Sequence, residues 1–319
     1  MPCFKPIPAW QSESNEVFLW RQPKRGDKVK RELQLPCGGC EGCLLERSRN
    51  WATRCMHEAR QWENNCFITL TYKEVPNCNS LNHTHFQRFM KVFRDNYLGI
   101  EPYVNPRTDK VSYPIRYFMA GEYGTRYGRP HYHACIFNYD FKDRKYLRTT
   151  PAGSKLYRSA QLEELWSVGK GKNRHSLGFS SIGDCTYQSA AYVARYVMKK
   201  AQQEFDASFT DECTGEIFED VRIPEYNRMS LRPGIGQTWF QEYKNDVYPS
   251  DQVIVNGHPT RPPRYYDKLI QEYDPDLYEQ VEHSRVVKSL NNSTDNSPER
   301  LASRLSVLQA KIKKLDRTL

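Results

Sequence analysis

The chain has 319 residues, a formal net charge of +9, 38% hydrophobic and 13% aromatic residues, and ten cysteines. That length holds one large domain with additions or two smaller ones, and no apolar run approaches the roughly 20 residues needed to cross a bilayer, which excludes a helical membrane-spanning protein. The positive balance favours anionic partners, nucleic acid first, because phosphate contacts dominate such binding.

Prolines in the opening MPCFKPIPAW interrupt any secretory core, so the chain is expected to stay in the cytoplasm with its thiols reduced or on metal. The first 35 residues mix Pro, Gly and charge and read as irregular. Cys37, Cys40 and Cys43 then form C-x2-C-x2-C, three ligands of a structural zinc site that needs four. Cys55 would lie about 18 Å up the following helix, which leaves Cys3, Cys66 or Cys78 as the fourth ligand, or ordinary buried thiols with no zinc at all.

A basic helix is expected over 42–62, a strand over 66–72, and a helix over 84–97 with Thr84 as its cap. Strands at 115–122 and 131–137 are joined by the turn-rich YGTRYGRP. A helix near 159–166, a short strand near 178–183, and a helix carrying AAYVARYVMKK at 190–200 complete the series. This order gives an α+β class, a central, mainly antiparallel sheet with flanking helices. Beyond residue 203 few elements can be placed. Residues 284–296 read as a polar linker, and Ser297-Pro298 starts a helix whose Leu301, Leu305, Leu308, Ile312, Leu315 and Leu319 alternate spacings of four and three, a seam for docking or self-association. The expected division is 1–64 (cysteine-rich segment and basic helix), 65–202 (catalytic domain), 203–283 (extension), and 284–319 (linker and amphipathic helix).

Alternate residues of a strand share a face, so His131 and His133 point together and Tyr132 points away. Glu122 ends the preceding strand, and pairing across the turn brings its carboxylate to both rings. One carboxylate with two imidazoles, leaving open positions, suits Mg²⁺ or Mn²⁺ engaging a phosphate better than closed zinc. In the 190–200 helix, Tyr192, Arg195, Tyr196, Lys199 and Lys200 share an arc of about 140°, while Ala190, Ala191, Val193, Ala194, Val197 and Met198 occupy the opposite arc. The core does not need those tyrosines, and a phenol favoured as phenolate by nearby cations is a nucleophile for phosphodiesters. A metal-activated water would instead make a hydrolase.

FITLTY (67–72), GEYG (121–124), GRPHYH (128–133) and AYVARYVMKK (191–200), in that order, resemble the rolling-circle replication initiators of the HUH endonuclease superfamily. More narrowly, the chain is similar to the initiation proteins of microviruses, the gokushovirus-like group above all. PCGGCEGCLLERSRNWATRCMHEA, RPGIG (232–236), DVYPSD and RPPRYYDKL also look like that group. The resemblance implies a sheet of about five antiparallel strands related to the RRM-like palm. It also implies metal-dependent cleavage and rejoining of single-stranded DNA at a phage origin, through a covalent 5′-phosphotyrosine that frees a 3′-OH primer. His131, His133 and Glu122 would hold the metal, Tyr192 and Tyr196 would be the nucleophiles, Lys199 or Lys200 the cation at the scissile phosphate, and Arg195 and Arg129 DNA contacts. No GxxxxGK[ST] phosphate loop occurs, so helicase and polymerase would come from the bacterial host. The rival reading is a non-catalytic basic DNA-binding protein that uses exposed aromatics for stacking.

Overall fold

A computed structural model of the chain describes residues 3–14, 16–19, 28–74, 79–106, 108–124, 128–169, 171–202, 208–210, 217–219, 222–291 and 293–314, with the side chains of 195–202, 208–210, 217–219, 293–294 and 313–314 left out. The chain divides into two compact units, one made of residues 1–47 and 282–316 and the other of 48–281 and 317–319.

The first unit contains an antiparallel sheet of β1 (Ile7–Ser12), β2 (Val17–Leu19) and β3 (Val29–Leu35), in the order β2-β1-β3. The opening residues are therefore not irregular as expected. In β3, VKRELQL, half-buried Arg31, Leu33 and Leu35 alternate with exposed Lys30, Glu32 and Gln34, and Ala9 of β1 packs fully buried between Leu19 and Leu33 partners. Helix α1 (Glu41–Ala59) starts in this unit, and from Ser48 onward its residues belong to the second.

The second unit is built on one seven-stranded sheet. In chain order its elements are β4 (Asn65–Thr71), α2 (His83–Asn96), β5 (Arg116–Tyr123), β6 (Pro130–Phe137), β7 (Lys145–Thr149), β8 (Lys155–Arg158), α3 (Ala160–Leu165), β9 (Ser180–Asp184), α4 (Tyr187–Gln202) and β10 (Tyr226–Met229). The sheet order is β10-β5-β6-β4-β9-β8-β7, and every neighbouring pair is antiparallel. The α+β class expected from the sequence is what the chain adopts, with seven strands rather than about five. Strands β7, β8 and β10 carried no apolar alternation to mark them, and β7 is exposed along its whole length.

Period-two alternation sorts the sheet into two faces. Ile68, Leu70, Tyr132, Ala134, Ile136 and Met119 pack beneath α2 and α3. Phe67, Phe118, Ala120 and Cys135 face Ala52 and Cys55 of α1 and Ala190, Val193 and Ala194 of α4. Of the apolar arc expected for the tyrosine helix, Ala190, Val193 and Ala194 pack here and Ala191 is half-buried, while the side chains of Val197 and Met198 lie outside the described residues. At the start of α2 the cap is Asn82 and not Thr84: Asn82 Oδ1 accepts from Thr84 N at 3.0 Å, because the Ncap oxygen must reach an amide two or three residues ahead.

The region after residue 203 also holds α5 (Gln237–Val247), α6 (Arg264–Tyr273) and α7 (Pro275–Asn291), with α8 (Pro298–Lys314) closing the first unit. Residues 284–291, expected as linker, continue α7, and 293–296 form a 3₁₀ turn. Helix α8 starts at Pro298 as expected, with Leu301 buried and Leu305, Leu308 and Ile312 half-buried. RPGIG is a docking segment. Gly236 N donates to Glu58 Oε2 at 2.7 Å, Arg116 bridges Glu58 and the Pro233 carbonyl, and Arg54 Nε donates to the Ile235 carbonyl at 3.0 Å. A Cβ on Gly234 would come within 2.2 Å of Tyr265 Oη, and one on Gly236 within 2.7 Å of Tyr266 Oη. The glycines let RPGIG lie against RPPRYYDKL, so both motifs have a packing role.

Candidate metal centre and tyrosine helix

The antiparallel register pairs Glu122 of β5 directly with His131 of β6, and Ala120 with His133. Residues opposite each other on paired strands project on one side, so the carboxylate and both imidazoles converge, with all three ligand atoms within 4.8 Å of one another. Glu122 Oε1 lies 2.9 Å from His133 Nε2 and 3.5 Å from His131 Nε2. That oxygen is buried and receives no hydrogen bond of good geometry. Two nitrogen lone pairs and a carboxylate oxygen held this close need a cation or a shared proton between them, and the donor set fits a divalent metal with open positions.

Each ring is oriented from behind. His131 Nδ1 faces the Arg129 carbonyl at 3.0 Å; a carbonyl only accepts, so Nδ1 carries a proton and the ring is held with Nε2 toward Glu122. His133 Nδ1 shares a hydrogen bond with Thr69 Oγ1 at 2.9 Å, and its ring stacks on Phe67. Burial opposes charge on Glu122, yet contact with His131 and His133 outweighs it and holds the carboxyl down to about 2. Burial would lower His131, but the Glu122 carboxylate raises it overall; for His133 burial prevails and the ring is lowered. At neutral pH the site is therefore a charged carboxylate beside a neutral His133.

Helix α4 packs over this face through Ala190, Val193 and Ala194, which brings the half-buried Tyr192 to the site. Its ring meets His133 edge to face, with centroids 5.1 Å apart. The helix backbone continues through Arg195, Tyr196, Lys199 and Lys200, whose side chains lie outside the described residues. Arg129 is exposed beside the turn and serves the site through its carbonyl oxygen.

Two contributors were not legible in the sequence. Thr69 sits opposite His133 only because β4 pairs with β6, a register no local pattern reveals. Glu225, buried just before β10, accepts from Tyr123 N at 2.9 Å and adds a second carboxylate whose charge raises His131.

In the first unit the Sγ atoms of Cys3, Cys37, Cys40 and Cys43 also lie within 4.8 Å of one another. The fourth partner is Cys3. Cys66 is fully buried in the sheet core, and Cys78 lies outside the described residues. Backbone amides donate to these sulfurs, Phe4 N to Cys40, Cys37 N to Cys3 and Cys40 N to Cys37, at 3.3–3.4 Å. The cluster can hold a metal.

Residues 65–201, from β4 through most of α4, match the family of the replication-associated protein ORF2/G2P. That span contains the whole Glu122, His131, His133 and Tyr192 arrangement. The chain is a relative of the replication-associated proteins of microvirus-like phages, as its motifs implied. It is 28% identical over 292 residues to the replication-associated protein VP4 of Bdellovibrio phage phiMH2K, covering 91% of this chain and 83% of that protein. It is 27% identical over 302 residues to the replication-associated protein ORF2 of Spiroplasma virus 4, covering 87% and 83%, and 27% identical over 256 residues to the replication-associated protein ORF4 of Chlamydia phage 1, covering 76% and 57%. No solved structure matches the chain.

Proposed function

We propose that this chain initiates rolling-circle replication of a small single-stranded DNA phage genome by cutting and rejoining one strand at the origin, as an HUH-type nickase. The observation that carries the reading is the convergence of Glu122 Oε1, His131 Nε2 and His133 Nε2 beside the Tyr192 ring. Mg²⁺ or Mn²⁺ held by these three groups would polarise a phosphoryl oxygen and offset charge in the transition state. Thr69 and the Arg129 carbonyl fix the two rings, and Glu122 supplies the balancing negative charge.

Tyr192, whose ring meets His133, is assigned as a nucleophile. Its phenolic oxygen bonds to phosphorus while the P–O3′ bond breaks; the phenol loses its proton and the leaving O3′ takes one up, giving a 5′-phosphotyrosine and a free 3′-OH. One phosphodiester replaces another, so the step reverses without an outside energy source and rejoining uses the same groups. Tyr196, one turn on, is assigned the second transfer, and Arg195, Lys199 and Lys200 the cationic surround. This chemistry is assigned to residues 65–202, with 203–283 as an extension. Host helicase and polymerase complete the reaction in the bacterial cytoplasm, and the α8 seam is assigned to self-association. The four-cysteine cluster is assigned to structural Zn²⁺, away from the chemistry.

The test is a denaturing gel. Purified chain with Mn²⁺ and single-stranded phage DNA should give a covalent protein–DNA band that excess EDTA removes. His131→Ala should abolish that band while leaving most DNA affinity, since affinity rests on dispersed phosphate contacts. A band of full strength in EDTA rejects the metal site, and no band in wild type rejects the nickase.

A further inference from the structure

Phe179 is 67% exposed, an apolar ring with no polar tip to account for its place in water. Its backbone is held firmly. Thr71 N and Thr71 Oγ1 both donate to the Phe179 carbonyl, at 2.8 and 3.0 Å, and Lys73 N donates to the Leu177 carbonyl at 2.9 Å. Leu177 N in turn donates to the Trp166 carbonyl, and Trp166 Nε1 to the Thr71 carbonyl. Between them, Gly178 lies so close to the end of β4 that a Cβ would come within 2.2 Å of the Thr71 carbonyl oxygen and 2.5 Å of Lys73 N. Glycine is required for that approach. The exposed ring therefore stands on a built pedestal.

Its position on the sheet has a meaning. Strand β9 pairs Ser180 with Leu70, so the residue before it, Phe179, falls opposite Thr71, as the Thr71–Phe179 hydrogen bond requires. Thr71 pairs with His131, and His131 with Glu122. Glu122, His131, Thr71 and Phe179 thus form one cross-strand row on one face. Phe179 stands two strand spacings from His131, about 10 Å.

We propose that Phe179 is a stacking platform for a base of single-stranded DNA next to the phosphate engaged by Glu122, His131 and His133. This rests on the reading of those three residues as a phosphodiester site. A strand whose phosphate lies at the row's metal end carries its neighbouring bases across the same face, and an exposed ring on a fixed backbone presents a π-face that any base can cover. The chain's net charge of +9 and the exposed Lys73 beside the pedestal favour a polyanion over a second copy of this basic chain.

The experiment measures equilibrium binding in Mg²⁺ on a Tyr192→Phe, Tyr196→Phe background, where no covalent capture contributes. The two probes are a fluorescein-labelled oligo-dT of about 20 nucleotides and an abasic strand of equal phosphate number. Phe179→Ala should weaken oligo-dT binding about tenfold and leave abasic binding unchanged. Phe179→Trp should restore oligo-dT affinity, with indole fluorescence quenched by oligo-dT and not by the abasic strand. Equal loss on both strands, or no loss on either, overturns the proposal, as does a Phe179→Ala change in sedimentation with oligo-dT affinity intact, which would mark a contact between copies of the chain. Covalent adducts are scored separately in the wild type. Their absence would remove the nickase and leave the base-dependent difference standing, whereas their presence with no base-dependent difference would remove only the platform.

Discussion

His133 shows how much of the proposed chemistry rests on single side chains. Its Nε2 faces Glu122, its Nδ1 is taken by Thr69, and its ring edge meets Tyr192, so one residue links metal ligands to nucleophile. Side chains at i and i+4 of a helix are neighbours, and on the proposed reading Tyr192 and Tyr196 serve one phosphate. After one tyrosine has taken the 5′ end, a second must cut the regenerated origin for the displaced strand to close. Tyr192→Phe and Tyr196→Phe should each keep some nicking, and the double variant should form no adduct. Neither single variant should circularise a displaced strand efficiently, as read on a gel that separates linear from circular products. An adduct from the double variant would move the nucleophile elsewhere, with Tyr187 next to examine, since Tyr132 is buried on the opposite face of the sheet. The convergence of His131 and His133 was legible because strand alternation needs only two positions, and that of Glu122 because it ends the adjoining strand of a hairpin. Thr69 was not, and Cys3 stood only as one of three candidates. Each meets its partners only through long-range pairing, 64 residues away for Thr69 and His133 and 34 residues away for Cys3 and Cys37.

Among the elements, those with a one-sided apolar pattern were legible from periodicity and those without it were not. Helix α4 has a clean stripe, and of the residues expected to pack, Ala190, Val193 and Ala194 are fully buried and Ala191 half-buried. Helix α7 has Val281 as its buried residue, too little to set a phase, so its C-terminal half read as linker. The RPGIG segment looked like loop because what holds it is a buried polar network. Glu58 receives Arg116, Trp62 Nε1 and Gly236 N, and Arg116 is itself buried. Removing one partner of such a pair leaves a buried charge uncompensated. Glu58→Ala should therefore destabilise the second unit by about 3–5 kcal/mol, seen as a lower urea midpoint. Arg116→Met together with Glu58→Leu should recover much of that loss, since exchanging both charges for apolar groups is often near neutral. A midpoint unchanged in Glu58→Ala would show that water or another group replaces the carboxylate.

At the scale of the whole molecule, stability should depend on acidity through His57. The ring is buried, stacks on Trp239 with centroids 3.5 Å apart, and shares a hydrogen bond with Tyr266 Oη. Burial, with Arg60 nearby, pushes it from its ordinary 6.5 down to about 3. The folded ring stays neutral until about pH 3, whereas the unfolded chain takes up the proton near 6.5. The stability His57 provides is complete above pH 6.5 and is lost progressively as pH falls toward 3, on the order of 5 kcal/mol in all. Urea midpoints between pH 7 and 4 should drop, with a shallower drop in His57→Gln.

The first unit should depend on metal. Tetrahedral zinc with Zn–S bonds of about 2.3 Å sets neighbouring sulfurs about 3.8 Å apart, and Cys3 and Cys40 stand at 3.8 Å. Amide donors already point at the sulfurs, the outer support that thiolate–metal sites use. Because Cys3 lies 34 residues before Cys37, such a metal would join the chain ahead of β1 to the turn after β3, staple the small sheet, and fix the start of α1. Purified chain should then carry about one zinc per molecule, and Cys3→Ser should lose it as fully as Cys37→Ser. Stripping zinc with EDTA should expose residues 1–47 to protease, and adding Mn²⁺ back in excess should restore adduct formation without restoring that protection. Zinc retained by Cys3→Ser would remove the fourth ligand. Adduct formation that returns only with zinc would bring the cysteine cluster into the chemistry and overturn its assignment as a staple.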